Sequence, residues 1–355
     1  RRKVGLPALA RTTADTVTEE TPMTFETRAA GRTSLQLSTL GFGTATLGGN
    51  VHPPVPDAQS RAMVEHAFEV GIRYFDTAPF YGYGKSEHLL GDTLRAHTGW
   101  TLSTKVGRLL KSRVTPRGPE DQWVDPLPFE QVYDYSYDAV MRSFEDSLQR
   151  LGVDHIDMLL MHDVSTETLG EAGKAHHFPI AMASGYKALD QLRSSGAIKA
   201  IGIGVNEWQV LAEALDHGQW DAFLLAGRYT LLEQEPLHTL FPKCQKAGTT
   251  IIIGGPFNSG ILAGRDTWNY AKAPQPIIDK ARAIGRVCEA HGVDLPAAAL
   301  RFVIANPIVS SVIPGPRMAA ELDQIVAWWR QDIPASLWTD LRSEGLIDAD
   351  APIPA

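Results

Sequence analysis

Eight short apolar segments recur along the 355-residue chain, each followed by a helical stretch, and this alternation limits the architecture more than any other feature. They lie at roughly 38–43, 72–76, 101–106, 155–162, 198–204, 221–226, 249–254 and 309–313. Between them, apolar residues return at spacings of three and four. Val140, Phe144, Leu148 and Leu151 define a helix over Ser136–Leu151, capped by Asp134 or Ser136 and ended by Gly152. Eight βα units predict an α/β chain closed into a (β/α)8 TIM barrel with long loops at its C-terminal face. The rival is an open doubly wound sheet, which would carry a glycine fingerprint after its first strand. Gly41 and Gly43 are present, but Thr46 stands where the third glycine belongs.

The same reading divides the chain. Residues 1–22 are basic, then polar, without periodicity, and are expected to be a disordered tail or an expression remnant, with Met23 a natural start. Residues 23–345 form the single barrel domain, and 346–355 are expected to fray. With 33 Lys and Arg against 41 Asp and Glu, the net charge of −8 offers no footprint for nucleic acid. Cys244 and Cys288 are too few for a disulfide framework or a Cys-rich zinc site. No apolar run is long enough for a membrane span. The expectation is a cytoplasmic protein, a monomer or weak homo-oligomer, that needs no metal.

Two connections exceed ordinary length. Arg108–Tyr135 and Val164–Ser184 both follow strand ends and are expected to be lids or binding loops on the barrel's working face. Polar residues collect at the same ends: Asp76 closes IRYFD, Tyr81 follows in DTAPFYGYG, Lys105 lies in LSTKVG and His162 closes HIDMLLMH. Each has a bland alternative: Asp76 as a turn residue, Tyr81 as a rim aromatic, Lys105 as a snorkelling side chain, His162 as a structural imidazole. Together they suit proton exchange with a carbonyl or hydroxyl oxygen. An ammonium near a phenol favours phenolate, a carboxylate fixes the ammonium, and an imidazole directs the reacting oxygen.

The strings LGFGTATLGG, GIRYFDTAPFYGYGKSEHLLGDTLR, LSTKVG, SFEDSLQRLGVDHIDMLLMHD, IKAIGIGVNEW and SSVIPGPR resemble the aldo-keto reductase superfamily over about residues 37–325. The resemblance implies that Asp76, Tyr81, Lys105 and His162 form its catalytic tetrad. It also implies NAD or NADP bound across the barrel mouth, which accounts for the missing fingerprint. By the same resemblance Gly43 and Thr44 meet the nicotinamide side, Asp76 shares that wall, Asn206 holds the carboxamide and Arg317 lies near the adenosine phosphate. Departures stand at Ala226, where the family often has Gln, and at Gly254, where it often has an aromatic, Phe257 being nearby. Gln324 and Ile325 replace a frequent Asn, and Gly315, where some NADP-preferring members carry Lys, tilts the reading towards NAD.

The strings DYSYDAVMRSFEDSLQRLGVDHIDMLLMHD, FLLAGRYTLLEQ and GGPFNSGIL are similar to the branch that holds D-threo-aldose, L-fucose and pyridoxal 4-dehydrogenases. That implies oxidation of an aldose at C1 to its lactone. The alternatives are pyridoxal-type oxidation to a lactone, reduction of a small aldehyde, or a non-catalytic nicotinamide-binding regulator. The partner is a small carbonyl or sugar substrate, with Trp123, Phe129, Asp163 and Trp208 as pocket candidates. A cofactor-free barrel hydrolase would need two suitably separated acidic groups or a metal cluster at the rim, where one Tyr/Lys-centred group stands instead. GYGKS is no phosphate loop, because Pro79 stands at its first glycine, and His176–His177 lack a carboxylate at ligand spacing. Trp328, Trp329 and Trp338 read as packing of the last segment.

Overall fold

A computed structural model describes residues 24–49, 54–117 and 121–354 of the chain. The expected tail at 1–22 and Met23 lie outside these residues. The eight barrel strands are β1 (Phe42–Gly43), β2 (Tyr74–Asp76), β3 (Thr101–Val106), β4 (Met158–His162), β5 (Ala200–Val205), β6 (Ala222–Ala226), β7 (Thr250–Gly254) and β8 (Val309–Ile313). Neighbours pair in parallel in chain order. The ring closes where Leu40 bridges Val312 and the Gly43 amide donates to Pro314 O at 2.9 Å. The chain is thus a (β/α)8 barrel. Its first strand is shorter than expected, because Gln36–Ser38 pairs with Thr27–Ala29 as a separate antiparallel hairpin.

The strands are buried on both faces, so they read as apolar runs with little alternation. Parity still sorts them. In β4, Met158 and Leu160 belong to a small core with Tyr74, Leu224, Ile252 and Ile313, while Leu159 and Met161 join the larger core that holds the helices. His162 shares the parity of Met158 and Leu160. Asp76 likewise follows Tyr74, and Lys105 follows Ser103. All three therefore rise into the mouth from the barrel's interior face.

Helix α1 is Asp57–Glu69, α2 Lys85–Leu94, α3 Tyr137–Leu151, α4 Thr166–Ile180, α5 Tyr186–Ser194, α6 Trp208–Ala214, α7 Leu240–Ala247, α8 Gln275–Ala290, α9 Leu295–Ala305, α10 Ala319–Arg330 and α11 Ala335–Ser343. Ser136 caps α3 by accepting the Ala139 amide, and Gly152 (φ 65°) ends it.

Three expectations change. Val164–Ser184 is not an open lid but mostly α4, broken at Gly170 and continued by a π-turn into α5. Phe178 is the one fully buried side chain of α4, too narrow a contact to leave a periodic signal. The Arg108–Tyr135 connection begins and ends as an antiparallel hairpin, Arg108–Ser112 with Phe129–Tyr133. Within residues 346–354, expected to be loose, side chains are packed. Trp338 of α11 is buried, Ile347 and Ala351 are buried beyond it, and His238 pairs with Asp348 at 2.8 Å. Among the described residues no helix is long and apolar enough to cross a membrane.

Candidate active site

Lys105 Nζ is the hub of the mouth. It donates to Asp76 Oδ2 at 2.6 Å, to Thr77 O at 2.9 Å and to Tyr81 Oη at 3.1 Å. Asp76 is held from its other side by Ser103 Oγ at 2.6 Å, and Ser103 meets Tyr74 Oη at 2.9 Å. Register does this work, since Asp76 pairs with Ser103 across β2 and β3, two residues before Lys105. Tyr81 comes from the turn after β2, whose Gly82, Tyr83 and Gly84 all have positive φ. The ring of His162 meets that of Tyr81 edge-on at 5.9 Å. The four residues expected to act together are together.

Asp76 and Lys105 are almost wholly buried, so their attraction is hardly screened, and losing one partner leaves a costly buried charge. Burial works against the Lys105 ammonium, but Asp76 and Tyr81 outweigh it and raise its pKa to about 12. Tyr81 departs from expectation. Burial pushes its phenol up to about 12, and Lys105 offsets only part of that rise. At neutral pH Tyr81 is a protonated donor whose phenolate is reachable through Lys105. His162 is held well below the ordinary imidazole range by burial, then by Arg108 and Lys105, and so is neutral.

Arg108 is a residue that sequence reading missed. Gly107 (φ 98°) turns the chain after β3, and a Cβ there would lie 2.2 Å from the Tyr135 ring. Arg108 then lies buried with its guanidinium 4.1 Å from the Phe80 ring centroid and 5.4 Å from that of Tyr133. It donates to Asp163 Oδ2 and, at 3.3 Å, to Gln131 Oε1. Asp163, in a left-handed conformation (φ 50°), brings that carboxylate within 3.4 Å of His162 Nε2. Trp123 packs edge-on against Phe80 at 5.2 Å and lies 5.9 Å from Tyr81. Trp123 and Asp163 therefore stand beside Tyr81 and His162. Phe129 is not among the rings brought against Tyr81; Tyr133, from the same strand, reaches Arg108 instead. The Trp208 indole donates to Glu235 at 3.4 Å.

The residues matched to the dinucleotide divide in the same way. Gly43 must be bare, because a Cβ there would sit 2.9 Å from Ile313 O. Thr44 does not offer its hydroxyl to the mouth: it is fully buried, donates to Asp76 O at 2.9 Å and meets Ser86 Oγ at 2.7 Å. Asn206 Nδ2 donates to Ala226 O at 3.2 Å and Tyr270 Oη at 3.3 Å, under the loop after β7. Beside the mouth, a cavity of about 520 Å³ opens at the exits of β7 and β8, between Thr46, Phe257, Gly315, Arg317, Glu321 and Trp328. Phe257 and Trp328 meet edge-on there at 5.9 Å, so Trp328 lines a cavity besides packing its helix. A bare strand exit and a side cavity lined by an arginine fit a dinucleotide.

The aldo/keto reductase family model matches residues 39–343. Pyridoxal 4-dehydrogenase of Microbacterium luteolum is 45% identical over 336 residues, covering 91% of this chain and 98% of the relative. D-threo-aldose 1-dehydrogenase of a Pseudomonas species is 34% identical over 330 residues, covering 90% and 97%. A solved aldo-keto reductase from Bacillus halodurans superposes with a TM-score of 0.72 at 22% identity, covering 92% of this chain and 98% of that one, a likeness of fold.

Proposed function

The chain belongs to the aldo/keto reductase family as an NAD(P)-dependent oxidoreductase, and on that premise we propose that it oxidises a cyclic hemiacetal to a lactone. The sequence first suggested an aldose as substrate. The stronger similarity to a pyridoxal dehydrogenase, 45% against 34%, favours a pyridoxal-type hemiacetal instead.

The observation that carries the reading is the triple bonding of Lys105 Nζ to Asp76, Thr77 O and Tyr81. Tyr81, once its own proton has passed to solvent and it stands as the phenolate beside Lys105, accepts the hemiacetal O–H proton, and the carbon that loses hydride becomes the lactone carbonyl. When bound, the oxidised nicotinamide supplies the hydride acceptor. Lys105 stabilises negative charge on the Tyr81 oxygen while Asp76 keeps Lys105 charged and aimed. Neutral His162 directs the reacting oxygen. In the reverse direction protonated Tyr81 donates to the lactone carbonyl oxygen, and with an aldehyde as substrate it donates to the aldehyde oxygen in the same way.

The test is an absorbance assay of nicotinamide reduction with pyridoxal, D- and L-aldoses and simple aldehydes, run in both directions with both dinucleotides. The largest kcat/KM is expected with pyridoxal. An aldose preferred over pyridoxal returns the reading to sugar oxidation. Dinucleotide binding without turnover of any compound favours a regulator.

A further inference from the structure

We propose that Glu321 makes the side cavity selective for NAD over NADP by filling, with the chain's own carboxylate, the anion position that a 2′-phosphate would need. The inference rests on the dinucleotide reading above and deepens it.

Glu321 lies in the first turn of α10, four residues after Arg317. The Arg317 amide donates to Glu321 Oε2 at 2.8 Å, and its Nε donates to Oε1 at 2.9 Å and to Oε2 at 3.2 Å. Nη2 also donates to Oε1. Burial acts against the charge on Glu321, but these bonds outweigh it and hold the carboxyl below its ordinary range. Arg265 approaches the same carboxylate at 3.6 Å. The cation expected to meet a phosphate is therefore already engaged at its side chain and its amide.

The cavity's second cation, Arg265, also faces Glu321, and the exit of β8 adds little for an anion. Pro314 and Pro316 have no amide hydrogen, and Gly315 has no side chain. The positive end of α10 faces Glu321, which satisfies it as an acidic first-turn residue does. A 2′-phosphate carries about two negative charges at neutral pH and would have to displace the carboxylate or sit beside it. A ribose 2′-hydroxyl has a proton to donate and finds in Glu321 an acceptor. One group thus attracts the hydroxyl and repels the phosphate.

The test is equilibrium binding of NAD⁺ and NADP⁺, read by quenching of tryptophan fluorescence, since Trp328 lines the cavity. In the unaltered protein NADP⁺ should bind at least about tenfold more weakly than NAD⁺. Glu321→Gln, checked for an unchanged melting profile, should bring the two within about threefold, mainly by tightening NADP⁺. Glu321→Asp keeps the charge and should keep the preference for NAD⁺, which covers the case of a poorly folded Gln variant. NADP⁺ bound as tightly as NAD⁺ by the unaltered protein overturns this inference alone, as does a ratio that Glu321→Gln leaves in place. Failure to bind either dinucleotide overturns it together with the function it rests on.

Discussion

The barrel mouth has two unlike halves. At the exits of β2, β3 and β4 the charges are dry and interlocked: Lys105, Asp76, Arg108 and His162 are all buried, and every bond of the hub is 3.1 Å or shorter. At the exits of β7 and β8 the charges are half-exposed, paired locally at the start of α10, and border a cavity of about 520 Å³. The first half suits proton transfer, which needs groups held in place before substrate arrives. The second suits a long ligand that must enter and leave, and its ion pair is screened by water. Chemistry and binding should therefore respond differently to mutation.

Tyr81→Phe is the strongest attempt to break that division. The variant keeps the ring against Trp123 and His162 but removes the oxygen bonded to Lys105. Turnover should fall on the order of 10²- to 10⁴-fold, with dinucleotide Kd changed less than about threefold. Single-turnover rates and fluorescence titration measure the two halves separately. Unaltered kcat would remove Tyr81 from proton transfer.

A smaller effect follows from the Tyr81 pKa of about 12. In the oxidising direction Tyr81 must accept a proton, and the phenolate fraction grows about tenfold per pH unit below that value. Oxidative kcat/KM should therefore climb from pH 7 towards pH 10, while the reducing direction, which uses the abundant phenol, stays flat. His162 is already neutral there, so it should add no acidic limb above its ordinary range. A flat oxidative profile would separate Tyr81 from the rate-limiting proton transfer.

The two halves were also unequally legible in the sequence. Asp76, Lys105 and His162 could be placed because each ends an apolar strand, and strand parity sets which face they share. The Arg108–Asp163 pair was harder to read, because its members lie 55 positions apart and meet only once β3 and β4 are in register, two residues beyond the Val106–Met161 pair. Burial of Tyr81 was equally invisible, which is why proximity to Lys105 alone suggested a lowered phenol pKa. Glu321 did leave a signal, an acid four residues after Arg317 at a helix start, where a pair on one face is expected. The packed C-terminus left almost none: its buried Ile347 and Ala351 are scattered among Asp, Pro and Ala.

The smallest expected effect tests the open half. Arg317→Ala removes a guanidinium that the protein already spends on Glu321, so the ligand loses less than an unpaired arginine would contribute. NAD⁺ Kd should rise only about three- to tenfold. NADP⁺ should weaken further, since the exposed carboxylate then faces the phosphate without its partner. Saturating kcat should stay within about twofold, because Arg317 is not among the bonding partners of Lys105, Tyr81 or His162. A kcat loss approaching that of Tyr81→Phe would mean that the ion pair at β8 sets the geometry of the tetrad, and the two halves of the mouth would then be one coupled site.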